Sequence, residues 1–118
     1  MSPAKSAAGS APNVRDAAPL FAALGDQTRL QLVLRLAAHG EGSSSHLSQD
    51  AKVSRQAIAK HLEVLAGARL VRSVRRGRER VWELDPKRLD DAHRYLEHIS
   101  HRWDGALARL ARLVETEG

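Results

Sequence analysis

SRQAIAKHL, residues 54–62, sets Arg55, Gln56, Lys60 and His61 among Ala57, Ile58 and Leu62, and a second basic stretch, RSVRRGRERVWEL, follows at residues 72–84. Ile58, Leu62 and Leu65 fall at i, i+4 and i+7, the spacing of one buried helix stripe. The opposite stripe then carries Arg55, Gln56, Ala59, Lys60 and Glu63. Ser54 is of the type that caps a helix start. Upstream, the turn residues GEGSSS precede a short helix expected from about Ser45 to Ala51, with Leu47 and Ala51 inward. Only Lys52-Val53 separates it from the helix that opens at Ser54. Two helices joined by so tight a turn make a helix-turn-helix pattern.

Downstream, Leu70 to Arg75 and Glu79 to Leu84 are rich in Val and Trp with rough alternation, which predicts a two-stranded hairpin. Gly77 lies at its middle, where a positive φ is needed. Arg75, Arg76 and Arg78 flank it, so the tip is a projecting cationic loop with Glu79 as the adjacent counter-charge.

Moving outward, Leu20, Phe21 and Leu24 predict a first helix over Ala17 to Leu24, ended by Gly25. Asp26 can cap a second helix, whose core face is read as Leu30, Val33, Leu34 and Ala37 and which runs to His39-Gly40. Residues 1–15, rich in Ala, Ser, Gly and Pro without an apolar period, are read as a disordered tail, leaving residues 16–118 as one folded unit. At the other end Asp85 can cap and Pro86 suits the first position of a last helix. There Leu89, Ala92, Leu96, Ile99, Trp103, Ala106, Leu110 and Leu113 form a heptad-like seam, broadened by Leu107 and Val114. Helical to about Glu115, this segment spans roughly 45 Å, more than the rest of so small a domain can cover. A second copy of the chain is the expected cover, since two-fold pairing is the commonest assembly.

The totals exclude whole classes. With 118 residues, 42% of them hydrophobic, the chain suits one domain with a modest core. The absence of cysteine rules out disulfides, zinc–thiolate sites, iron–sulfur clusters and thiol redox sensing. No 18-residue apolar run and no apolar block near the start point to membrane or export, so a cytoplasmic location is expected. Net charge is +5, yet residues 52–80 alone hold nine basic against two acidic residues. That concentration on a helix start and a hairpin tip favours a polyanion as partner.

Double-stranded DNA is the polyanion these residue types suit. Its major groove admits one α-helix, and Arg55 and Gln56, in the first turn, are able to give paired hydrogen bonds to guanine and adenine. Ser54 and Lys60 suit phosphate, and Ala59 permits close approach to a thymine methyl. His61 is grouped with this face, although it adjoins the core stripe. Arg75, Arg76, Gly77 and Arg78 would cross the backbone or neighbouring minor groove and fix the helix's register.

These segments together resemble the ArsR (ArsR/SmtB) family of winged-helix repressors, over about residues 18–115. LGDQTRLQLVLRL is similar to the family's L-x-D-P-T-R opening, VSRQAIAKHLEVL to its recognition helix, ARLVRSVRRGRERVWEL to its wing, and DPKRL to the lead into its last helix. Gln27, Lys52 and Arg69 depart from the usual proline, turn glycine and post-helix glycine. The resemblance implies an α+β, mainly α, winged helix-turn-helix with a two-stranded β wing and a long C-terminal dimerisation helix. It implies a homodimer through the first and last helices, hence through Leu20, Phe21, Leu24, Leu96, Ile99, Trp103, Leu107 and Leu110. Many members sense metals. Their cysteine site has no counterpart in SSSHLSQDAK, and for the last-helix site the candidates are His93, Glu97, His101 and Asp104, after Asp91-x-His93. The family's later His-x-x-acid pair would begin eleven residues after His93, where Asp104 stands, so no metal or other cofactor is expected.

The expectation is therefore a sequence-specific homodimeric repressor on an inverted-repeat operator. A metal-responsive repressor and a winged-helix protein or RNA module are the alternatives. RNA is disfavoured because aromatics make up only 3% of the chain. No enzyme is expected, since no Gly-rich phosphate loop, G-x-S-x-G elbow or H-E-x-x-H pair occurs.

Overall fold

A computed structural model of the chain describes residues 13–49 and 52–117. Five helices and three strands follow in the order α1 (Val14–Leu24), α2 (Gln27–His39), β1 (Glu41–Ser43), α3 (Ser44–Ser48), α4 (Arg55–Gly67), β2 (Val71–Arg76), β3 (Glu79–Leu84) and α5 (Pro86–Glu117). This is the winged helix-turn-helix arrangement, mainly helical, with a small antiparallel sheet and a long last helix. Residues 1–12 of the expected tail and Ala51, expected to point inward, lie outside the described residues.

Local capping chemistry sets most boundaries. The Asn13 side chain accepts from Arg15 N–H at 3.0 Å, so α1 starts at Val14 rather than Ala17. Asp26 caps α2 through Arg29 N–H at 3.0 Å, and Ser54 caps α4 through Ala57 N–H at 3.1 Å. Asp85 accepts from Lys87 N–H at 3.0 Å ahead of α5.

The sheet has one strand more than the hairpin. Its order is β1-β3-β2, with Gly42 opposite Trp82 and Arg76 opposite Glu79. A β-carbon on Gly42 would come within 3.1 Å of Leu47, so glycine lets α3 pack against the strand. Gly77 takes φ 64°, as a two-residue hairpin loop requires.

Leu20, Leu36, Ile58, Leu62, Leu65 and Leu70 form the fully buried centre, joined by Leu32, Val33, Leu47 and Trp82. Two expectations are corrected by this core. Leu20, expected at a dimer interface, is 1% exposed inside its own protomer. On α2 the inward face is Leu32, Val33 and Leu36, while Leu30, Leu34 and Ala37 face outward. That helix is apolar on most of its circumference, so its period alone leaves the phase undetermined. Phe21 and Leu24 are half-buried, and the Phe21 ring meets Tyr95 of α5 with centroids 5.5 Å apart.

Candidate nucleic-acid interface

The seat of α4 is fixed from below. Ile58, Leu62 and Leu65 are all fully buried, which leaves Arg55, Gln56 and Lys60 exposed on the other side and Ala59 half-covered between them. Arg55 is steadied by α3, because its guanidinium donates to the Ser45 hydroxyl at 3.1 Å. Ser54 accepts Ala57 N–H and keeps its own O–H free to donate.

The wing carries Arg75, Arg76, Gly77 and Arg78, all exposed. Arg76 donates to Glu41 on β1 at 3.1 Å, and this bond with the carboxylate's charge raises its pKa further. Arg72 meets Glu83 and Arg80 meets Glu63, each at 3.3 Å. The Arg80 guanidinium also lies 4.3 Å from the centre of the Trp82 ring on its own strand, and its pairing with Glu63 links the wing to α4. Arg75 and Arg78 meet no carboxylate among the described residues.

A helix with exposed Arg, Gln and Lys beside a basic hairpin suits DNA, and comparison with known proteins agrees. A family described as a helix-turn-helix domain matches residues 24–74. The chain is 42% identical over 96 residues to the HTH-type transcriptional regulator Rv2034 of Mycobacterium tuberculosis, covering 81% of this chain and 86% of that one. The ArsR-like transcriptional regulator from Rhodococcus sp. RHA1 superposes with TM-score 0.72 at 39% identity, over 84% of this chain and 92% of that one. The chain belongs to the ArsR family of helix-turn-helix transcriptional regulators. The transcriptional repressor BigR from Xylella fastidiosa is more distant, at 26% identity and TM-score 0.55 over 64% of this chain and 76% of its own.

In this ArsR-family regulator His61 does not share the outward face of Arg55 and Gln56. It is half-buried, with Nδ1 3.3 Å from the Arg29 guanidinium and 3.9 Å from the Asp26 carboxylate. Its position next to Leu62 turns the ring toward the start of α2, which separates it from the residues with which it was grouped as expected DNA contacts. The Asp26 carboxyl is held below the usual carboxylate range chiefly by the Arg29 N–H bond, which together with the Arg29 charge outweighs the opposing effect of desolvation.

His93 and Glu97 approach to 3.7 Å on α5, and His101 and Asp104 are exposed further along it. Among the described residues no three His, Asp or Glu side chains are grouped to hold a metal ion. No described helix is long and apolar enough to cross a membrane.

Sequence reasoning gave Glu41 no role and named Ser45 and Glu63 without the arginines that they bond. Glu41 and Ser45 stood in what read as a turn, and their partners lie 35 and 10 residues away. Nothing in a one-dimensional pattern marks such pairings.

Proposed function

We propose that this regulator is a homodimeric repressor that binds an inverted-repeat duplex in the cytoplasm, one α4 per half-site, with half-sites about one helical turn apart. The carrying observation is that Arg55, Gln56 and Lys60 are exposed on a helix whose opposite side is fully buried. Arg55 and Gln56 read base edges, Ala59 allows close approach, and Ser54 and Lys60 bond phosphate. Arg75, Arg76 and Arg78 hold the neighbouring backbone or minor groove, with Gly77 shaping the turn between them.

Dimerism is supported by the exposed row Leu96, Ile99, Trp103, Leu107, Leu110, Leu113 and Val114 on α5. Such a row is larger than an ordinary monomer leaves in water. The half-buried Phe21 and Leu24 would lie beside it. Repression is supported by the described action of BigR, a repressor by name. The relatives reported are regulators of transcription, which supports a non-enzymatic role.

Fluorescence anisotropy on matched and scrambled operators separates the roles. Gln56→Ala should cut the preference for the matched duplex by about tenfold, within the value of one bidentate base contact. Arg76→Ala should weaken both duplexes alike and lower the salt slope by about one. Equal behaviour of the two variants on both DNAs would refute the assignment.

A further inference from the structure

Arg29 opens α2 and reaches three elements. Its backbone N–H donates to the Asp26 carboxylate of its own cap at 3.0 Å. Its Nε donates to the Ala23 carbonyl, near the end of α1, at 2.6 Å, and one terminal nitrogen lies 3.3 Å from His61 Nδ1 on α4. Arginine has no acceptor, so a hydrogen bond here runs from the guanidinium into a lone pair on Nδ1. The ring then carries its proton on Nε2. Asp26, at 3.9 Å from Nδ1, is too far to be the bonded partner.

We propose that Arg29, acting through His61, is a positioning residue that sets the rotation of the recognition helix. The inference rests on the reading of α4 given above. The stripe Ile58, Leu62 and Leu65 fixes how deep α4 sits, but aliphatic packing is non-directional and resists rotation about the helix axis only weakly. His61 lies at the edge of that stripe, and its part-buried bond to Arg29 is a directional restraint there, whereas the other polar ties of α4, Arg55 to Ser45 and Arg80 to Glu63, lie exposed. The same guanidinium holds the end of α1, which packs on α5 through Phe21 and Tyr95. The attitude of α4 is thereby referred to the helices that bear the apolar row.

The consequence concerns discrimination more than affinity. Base-edge hydrogen bonds lose strength within a few tenths of an ångström and a few tens of degrees, whereas phosphate attraction varies slowly with distance. A recognition helix free to rock keeps its hold on any duplex and loses its preference.

The test measures binding to matched and scrambled duplexes at one salt concentration, with a melting curve for each variant and Gln56→Ala alongside. His61→Phe and Arg29→Met should each lower the matched-to-scrambled ratio by about tenfold, with the scrambled affinity within about twofold of the parent. His61→Asn sets an amide oxygen close to the position of Nδ1 and should keep the ratio within about threefold. If Arg29→Met fails to fold, the His61 pair decides. A ratio unmoved by His61→Phe, or lost equally in His61→Asn, overturns the proposal while a loss in Gln56→Ala still upholds α4 as the reader. A ratio that Gln56→Ala also leaves unmoved brings down the reading of α4 itself, and this proposal with it.

Discussion

At the scale of single residues, Arg76 is the cation whose setting the sequence hid. It pairs with Glu79 at the tip end of the hairpin, yet its guanidinium bonds Glu41, which pairs with Glu83 at the far end. The side chain therefore lies back along the sheet instead of projecting from the tip. To grip a phosphate it has to exchange one anion for another, and exposed ion pairs of this kind are weak enough to exchange readily. Glu41→Gln should tighten binding to matched and scrambled duplexes alike, by up to about fivefold. It should also steepen the fall of affinity with salt, because no freed carboxylate remains to hold a cation beside the DNA. Weaker binding by Glu41→Gln would mean that the carboxylate presents Arg76 to DNA instead of competing for it.

Between elements, a buried polar junction gathers around Arg88, which is 4% exposed on α5. It donates to the Ala68 carbonyl at the end of α4 at 2.9 Å, and to the Asp16 carbonyl and carboxylate on α1 at 2.8 and 2.9 Å. Arg69 reaches the other Asp16 oxygen at 2.8 Å from a left-handed backbone, φ 64°, where the family usually has glycine. α1, α5 and the turn after α4 thus converge on one carboxylate. Asp16→Ala removes one of two carboxylates beside the buried Arg88 guanidinium, leaving Asp91 at 3.6 Å, and should cost about 2 kcal/mol in urea unfolding at fixed protein concentration. A loss near zero would contradict this role. Much of the surrounding fold was legible, because caps such as Asp26, Ser54 and Asp85 and the turn at Gly77 are decided by neighbours in sequence. The rest depended on distant partners. β1 is three residues long, too short to show alternation, and exists because β3 lies forty residues on. The inward phase of α2, the burial of Leu20 and the turn of His61 toward Arg29 were likewise settled by what packs against them. For the site, the residue types of α4 and the wing announced DNA, while the carboxylates and hydroxyl that orient their arginines did not.

For the whole molecule, α5 carries the case for the proposed dimer. Its 32 residues extend about 48 Å, and among the described residues its contacts with the core come from the first third, through Leu89, Ala92 and Tyr95. From Leu96 to Val114 the apolar row stands in water, with Trp103 62% exposed. In the proposed dimer a second copy joined along that row by two-fold symmetry would repeat α4 and the wing, so that two reading heads would address one duplex. One chain supplies a single α4 and can read only one half-site. The most direct test is hydroxyl-radical footprinting on the DNA upstream of the regulator's own gene. The expected pattern is two protected patches on one face of the duplex, related by a two-fold axis and centred about 10 base pairs apart. A single patch one half-site wide, or uniform protection with no boundary, would contradict it.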